Sequence, residues 1–247
     1  MSLGKAVVVS ALLLCLVAGL TTGAGAREQR GGGHGLFYAG TSFLDLDKLN
    51  EALTTRGYPR FATQLFSMGG GGHAFIGRLV LGGQGQALFG RSKDVVKNST
   101  PYKTNLNAGI GMFDIGYVVT PPAGLQVFPM LGIGGGGLEV SVVEKQPPAF
   151  DEILEHPARG ARLSTGVFLL NLALGLDYLV PTGRDKSGMG GLVLGVEVGY
   201  TFTPFFTAWS ADEIEITGGP DVGITGPYLR LKIGGGGRRD RCCRGQN

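Results

Sequence analysis

The three histidines are the first residues of this chain that could do chemistry. A nucleophilic hydrolase needs a serine hydroxyl beside a histidine base, and a carboxylate that orients the histidine. His73 follows Ser67 along the chain, and His156 directly follows Glu155. None of the histidines stands at a metal-ligand spacing such as H-x-x-x-H. Nothing in the sequence brings these groups together, so we predict no catalytic residue, no metal ligand and no cofactor. A lipid-modifying enzyme is kept as an alternative hypothesis.

Four glycine runs are the second candidate, because backbone N–H groups of glycine-rich loops bind phosphate. They lie at residues 31–33, 69–72, 134–137 and 234–237. None is followed by the Lys-Ser or Lys-Thr of a P-loop, and none lies in a βαβ unit. The runs are therefore predicted to have backbone roles in loops, bulges and strand ends.

The remaining polar residues exclude further classes of function. Paired carboxylates at 45/47, 151/152 and 212/213 lie in long polar stretches and are typical of solvated loops. The formal net charge is only +3, and no basic stripe is interleaved with aromatic residues, so nucleic acid is not a predicted partner. Cys242 and Cys243 are adjacent, which excludes a disulfide framework for the fold.

The amino-terminal segment predicts export. Lys5 precedes an apolar run at residues 6–20, which ends in small residues and Ala26. This order is typical of a secretory signal peptide over residues 1–26. The run has roughly 15 residues, fewer than the roughly 20 that a spanning helix needs. Lipid attachment at Cys15 is disfavoured because Leu14 precedes it. No later segment is apolar for long enough to predict a transmembrane helix, so a spanning mature chain would need a closed barrel.

Alternation of apolar and small or polar residues gives the fold. In residues 163–178 one parity carries large apolar side chains and the other carries mainly Thr, Asn, Ala, Gly and Asp, interrupted by Val167 and Leu169. A period of two places these sets on opposite faces of a strand. The pattern recurs at 192–202 and 229–233, and more weakly at 37–43, 75–81, 86–91, 113–119 and 125–143. The total is about eight strands, with bends predicted at Pro129 and at 134–137.

Connections between these strands alternate in length. Long ones are predicted at 45–72, 92–103, 144–161 and 203–225, and short ones at 82–85, 121–124 and 181–190. In the first long loop, Leu46, Leu49 and Leu53 have helical spacing, with Asp45 as N-cap and Gly57 as terminator. This helix would cap the barrel mouth, lie at a lipid interface or dock on a partner, and capping is favoured. The alternation at 213–217 indicates either strands that continue beyond the bilayer or an irregular loop.

Six charged residues fall on the small-residue face of the predicted strands. Opposite charges can pair inside a narrow barrel, where unpaired charges are too costly. The alternative is that they are solvated charges on a soluble sheet. The predicted barrel-interior charges are Arg78, Asp114, Asp177, Glu197, Arg230 and Lys232.

The signal peptide, the strands from Leu36 to about Gly234 and the alternating loops resemble the small bacterial outer-membrane β-barrel proteins, the group that includes the transmembrane domain of outer-membrane protein A. The resemblance implies an all-β fold, a closed up-and-down antiparallel barrel of about eight strands, with a short helix in the first long loop. The chain departs from the family pattern, because it continues past the last predicted strand, whereas members of the family commonly end that strand on an aromatic residue. The expected organisation is a signal peptide (1–26), a barrel domain (27–237) and a basic, disordered tail (238–247).

The expected function is a structural or surface-interaction role in the outer membrane, carried by the long loops. The interior of an eight-stranded barrel should be filled by side chains, so a general porin is not expected. The expected partners are outer-membrane lipid and other envelope or surface molecules that contact the loops. The alternative to this role is a soluble periplasmic barrel of lipocalin-like form, in which the apolar parity would line a ligand cavity.

Overall fold

A computed structural model of the chain describes residues 31–119, 125–145, 151, 160–185, 188–211 and 214–239. The predicted signal peptide and residues 240–247 of the predicted tail lie outside these ranges, as does the predicted turn at 121–124. The elements are β1 (Gly31–Phe43), α1 (Asp47–Thr55), β2 (Gln64–Ile76), β3 (Leu79–Phe89), β4 (Lys93–Lys97), β5 (Thr100–Tyr117), β6 (Leu125–Glu144), β7 (Gly160–Asp185), β8 (Gly188–Phe206), β9 (Trp209–Ala211), β10 (Ile214–Ile216) and β11 (Gly226–Arg239).

Eight of these strands form a closed antiparallel ring in the order β1, β2, β3, β5, β6, β7, β8 and β11. The ring closes because β11 pairs with both β8 and β1. Strands β4, β9 and β10 lie outside it, since β4 pairs with β5, β9 with β7 and β10 with β9. The predicted closed barrel of eight strands is therefore confirmed. Arg238 and Arg239, assigned to a tail from sequence, pair with β1 as the last residues of β11.

The strands are strongly tilted. Following paired residues once around the ring from Gly190 on β8 leads back to Tyr200 on the same strand. A stagger of this size in eight strands gives a tilt of about 40° to the barrel axis, as expected for a closed barrel with a narrow interior.

Large apolar side chains cover the outside of the ring, because alternation aims one parity of every strand outward. Leu170 is 41 % exposed and Leu231 is 64 % exposed, although both lie in the middle of long strands. We call this surface the apolar belt. Its members include at least one residue from each ring strand, namely Phe37, Phe66, Leu79, Phe113, Leu131, Leu170, Leu194 and Leu231.

The region around β2 and β3 corrects the sequence interpretation. The chain reverses at Gly77-Arg78, where Gly77 has a φ of 62°, and not at residues 82–85, which lie within β3. Glycine suits that left-handed turn position because it lacks a Cβ. Strand β2 begins at Gln64, inside the stretch predicted to be a loop. The glycine run at 134–137 also forms a continuous ladder with β5 and β7 instead of a bend.

The first long loop contains the predicted helix, which covers the mouth of the barrel. Its N-cap residue is Leu46, not Asp45, and no side chain caps it. Leu46 and Leu49 are buried in the largest apolar cluster, with Leu53 packed against it. Asn50 pins the helix, since its Nδ2 donates to the Phe61 carbonyl (3.1 Å) and its Oδ1 accepts from the Phe61 N–H (2.7 Å). No helix of the described residues is long and apolar enough to cross a membrane.

The long-loop end of the molecule forms a structure that we call the cap lobe. Here the inward residues of the strands are apolar, as with Leu106 and Leu138, and the outward ones are polar, as with Asn107 and Glu139. The inward residues share one core with Trp209 and the helix. The cap lobe comprises α1, β4, β9, β10, their connections, and residues 100–111 of β5, 135–144 of β6 and 160–167 of β7.

Candidate functional site

The barrel interior below the cap lobe contains five of the six predicted charges. Asp114, Asp177 and Glu197 are 0 % exposed, Arg230 is 1 % exposed and Lys232 is 2 % exposed. They come from β5, β7, β8 and β11, so strands that are distant in sequence place them in one section of the ring. We call these five side chains, together with Gln84 and Tyr228, the interior charge cluster.

Arg78 lies elsewhere, and its predicted position in the interior is wrong. It is half-buried in the turn between β2 and β3, because β2 ends at Ile76 and the alternation does not continue through the turn. Its Nη1 donates to the Tyr117 hydroxyl (3.4 Å), and the guanidinium carbon is 5.8 Å from the centre of that ring. Arg78 therefore belongs to the short-turn end of the barrel.

Arg230 stands at the centre of the interior charge cluster. It faces Glu197 directly across the β8–β11 ladder, with 3.4 Å between its Nη1 and the Glu197 Oε1. The same Nη1 donates to the Gln84 Oε1 (3.0 Å), and the guanidinium carbon is 3.7 Å from the centre of the Tyr228 ring. The Tyr228 hydroxyl donates to the Glu197 Oε1 (3.0 Å). The guanidinium thus has partners from three strands.

Lys232 forms the second ion pair. Its Nζ is 2.5 Å from the Asp177 Oδ1 and 3.8 Å from the Glu197 Oε2. The His34 Nδ1 is 3.5 Å from the other Asp177 oxygen. Gly195 lies between Lys232 and Asp177 in the ladder, and a Cβ there would come closer than 3.0 Å to the carboxylate. The absence of a side chain at Gly195 therefore permits this contact across β8.

A hydrogen-bonded chain of amides links the ion pairs to Asp114. The Gln84 Nε2 donates to the Asp114 Oδ2 (2.7 Å), and the Gln86 Nε2 donates to the Gln84 Oε1 (2.7 Å). The sequence does not identify Gln84 as a partner, because residues 82–85 are predicted to form a turn. Nor does it single out Tyr228. The parity of β11 could have identified Tyr228, which precedes Arg230 and Lys232 at intervals of two.

The interior charge cluster lies between apolar layers. The core of the cap lobe covers one side, and a cluster that includes Phe75, Phe128 and Met130 lies on the side of the short turns. The Lys232 Nζ is 5.0 Å from the centre of the Phe128 ring. Buried charges in such surroundings are tolerated only when paired, and removal of one partner is strongly destabilising. The chemistry of this cluster is therefore ion pairing and hydrogen bonding between three carboxylates and two cations in the barrel interior.

The histidine pairs considered for catalysis are not brought together. Ser67 and His73 lie on one strand and both face the interior, which places them roughly 20 Å apart at 3.3 Å per residue. His156 and Glu155 lie outside the described residues. In the part of the chain that the structure describes, no three His, Cys, Asp or Glu side chains are grouped as metal ligands.

Comparisons with known proteins give a likeness among solved structures. No protein-family model and no curated protein sequence matches the chain. Among solved structures, the chain is similar to Ail, the attachment invasion locus protein of Yersinia pestis, with 9 % sequence identity and a TM-score of 0.40. The match covers 85 % of this chain and 99 % of that chain. The barrel assignment rests on the strand pairing described above and not on this likeness.

Proposed function

We propose that this chain is an exported outer-membrane β-barrel whose eight ring strands span the bilayer and whose cap lobe is presented at the cell surface. The observation that carries the proposal is the direction of the two strand faces. On β7, Leu176 is 41 % exposed on the outside while its neighbour Asp177 is 0 % exposed inside. A soluble barrel needs the opposite arrangement, whereas a membrane barrel has an apolar outer band and a polar interior.

The soluble lipocalin-like alternative receives less support from the same observation. It requires the apolar parity of the strands to line a ligand cavity. That parity instead forms the apolar belt, and exposed apolar surfaces of this extent mark membrane or protein contacts. In the part of the chain that the structure describes, the interior holds ion pairs and glycines.

The role that we propose is structural or interactive and not that of a general porin. The interior charge cluster and the apolar layers on both sides of it occupy the barrel with side chains, as expected for eight strands. The cap lobe supplies the surface for envelope or external molecules, since it carries the long loops and polar outward residues such as Asn105 and Glu139. Ser67 and His73, the considered pair that lies within the described residues, are far apart along β2 and do not form a catalytic pair.

Envelope fractionation of a Gram-negative host that expresses the full chain tests the location. We expect the protein in the outer-membrane fraction, extracted by detergent but not by salt, and with faster gel migration before boiling than after it. Protease added to intact cells should cut the exposed hairpin at Asn98–Ser99, which joins β4 to β5. Recovery in the soluble periplasmic fraction without detergent would contradict the proposal.

A further inference from the structure

A groove of about 230 Å³ opens in the cap lobe between helix α1 and the segment that follows β9. It is smaller than the roughly 300–1,000 Å³ of typical drug-sized ligand sites. Its walls are mainly apolar side chains, of which Leu53, Leu163 and Ile216 are only partly buried. The wall residues used below are Ala52, Leu53, Val140, Leu163, Trp209 and Ile216.

The walls of this groove are held in place by contacts within the protein. The Trp209 Nε1 donates to the Pro220 carbonyl (2.8 Å), which fixes the indole against the 217–220 segment. That segment passes so close that a Cβ on Gly219 would come within 3.0 Å of the indole ring. On the other side, Asn50 attaches α1 to the Phe61 backbone. A groove that is formed in advance loses little conformational entropy when it binds a ligand.

A cation stands at the rim of the groove. Arg56, at the end of α1, lines it, and no described carboxylate does. A second cation lies close by, because the Lys97 Nζ donates to the Arg56 carbonyl (3.2 Å) and is 4.6 Å from the centre of the Tyr58 ring. Apolar walls that end at a guanidinium match a ligand with an alkyl chain and an anionic head.

The groove also lies away from the apolar belt. Val140 in its wall is seven residues further along β6 than Ile133, which is 51 % exposed in the belt. At 3.3 Å per residue and a tilt of about 40°, this separates them by roughly 18 Å along the barrel axis. On β7 the separation is smaller, since Leu163 in the wall is five residues from Phe168, which is 37 % exposed, or roughly 13 Å along the barrel axis. The acyl chain of a bilayer lipid points into the membrane and away from the cap lobe, which favours a ligand that is free in solution.

We infer that this groove binds the alkyl chain of a free anionic amphiphile, represented by a medium-chain carboxylate, with the carboxylate at Arg56. The placement of the groove outside the bilayer rests on the proposed membrane function. The binding itself depends only on the cap lobe.

The tryptophan of the groove reports the binding. Trp209 is the single tryptophan of the chain, so its emission observes the groove alone. The full chain is reconstituted in phospholipid nanodiscs, because detergent is itself an amphiphile, and is titrated with decanoate and with decanol. We expect a saturable emission change for both, with about tenfold weaker affinity for decanol, which cannot pair with a guanidinium.

Two variants and matched controls separate the contributions of head and chain. Arg56→Gln should weaken decanoate binding about tenfold and leave decanol unchanged, while Arg60→Gln, an equal charge change outside the groove lining, should alter neither. Ala52→Phe fills the groove and should abolish saturable binding of both compounds. Thr55→Phe, which places the same ring on the exposed side of α1, should not.

Folding and insertion are checked in each sample by heat-modifiable migration. A correctly inserted protein whose emission changes only linearly with decanoate, or whose binding survives Ala52→Phe, would overturn the inference and leave the membrane proposal intact. A chain that remains soluble without nanodiscs but still binds decanoate through Arg56 would overturn the membrane proposal alone.

Discussion

We call the part of the barrel that carries the apolar belt outside and the interior charge cluster inside the belt section. The belt section and the cap lobe share strands but have opposite chemistry. On β5 the even-numbered residues face inward in both sections. The inward residue is charged in the belt section, at Asp114, and apolar in the cap lobe, at Leu106. The outward residues of β5 change in the opposite way, from apolar Phe113 in the belt section to polar Asn107 in the cap lobe. The geometry of the ladder is continuous across the change. The difference shows that the medium around each section, and not the backbone, decides which parity is apolar.

The two sections also differ in what stabilises them. The core of the cap lobe gains about 1.5–3 kcal/mol for each large apolar side chain removed from water. The belt section gains less inside, because its smaller apolar cluster with Phe75, Phe128 and Met130 lies beside paired charges. The attraction within those pairs is largely offset by desolvation. In the proposed membrane location, the outer surface of the belt section gains instead from transfer into hydrocarbon.

The largest expected effect comes from removing one partner of the interior charge cluster. Glu197→Ala removes the carboxylate that contacts both Arg230 and Lys232. Breaking these buried pairs should reduce the free energy of unfolding by about 3–5 kcal/mol. Urea-induced unfolding in detergent micelles measures this loss of stability. The control is Lys145→Ala in the exposed pair with Asp94, expected to cost less than about 1 kcal/mol. Equal losses from the two variants would show that the interior pairs behave like surface pairs.

The core of the cap lobe gives the next largest effect. Leu138→Ala removes a side chain that is 0 % exposed and should cost about 2–5 kcal/mol, because a cavity remains among its neighbours. Exposure of Trp209, followed by its fluorescence, should occur at lower denaturant than in the unsubstituted chain. If the midpoint were unchanged, Leu138 would not contribute to a packed core.

A charge on the apolar belt comes third. Leu231→Arg should reduce stability in bilayers by about 2–4 kcal/mol, the range found for cations near the membrane midplane. Asn107→Arg places the same charge outward on the cap lobe and should change stability by less than about 0.5 kcal/mol. Reconstituted vesicles and a urea series measure both. Equal tolerance at the two positions would remove the distinction between the sections.

The smallest expected effect distinguishes inward from outward glycines. Gly195→Ala inserts a Cβ between Asp177 and Lys232 and should cost about 1–3 kcal/mol through overpacking. At Gly235, on the outer surface of β11, an added Cβ meets no atom within 4 Å. Gly235→Ala should therefore be neutral in the same unfolding assay. A larger loss at Gly235 than at Gly195 would mean that the faces are assigned in reverse.

The sequence predicts the belt section better than the cap lobe. Leucine-rich alternation on β7, β8 and β11 identifies both faces, and four interior charges follow from it. The fifth, Asp114, follows from the weaker alternation of residues 113–119 on β5. Residues 82–85 give no such signal, since glycines have no side chain to alternate, and so β3 and Gln84 were misplaced. The beginning of β5 was missed for another reason. Its pattern, with Leu106 inward and Asn107 outward, is that of a soluble sheet. The apolar outer face by which the rest of β5 is recognised therefore does not continue into this part of the strand.

The outward orientation of the apolar belt is the claim on which the account depends, and lipid-borne quenching tests it most directly. Leu231→Trp is prepared in a Trp209→Phe background and reconstituted in phospholipids with brominated acyl chains, which quench tryptophan on contact. We predict strong quenching at position 231 and little quenching of Trp209 in the unsubstituted chain. An unquenched tryptophan at 231 would contradict the membrane-facing belt, and with it the proposed function.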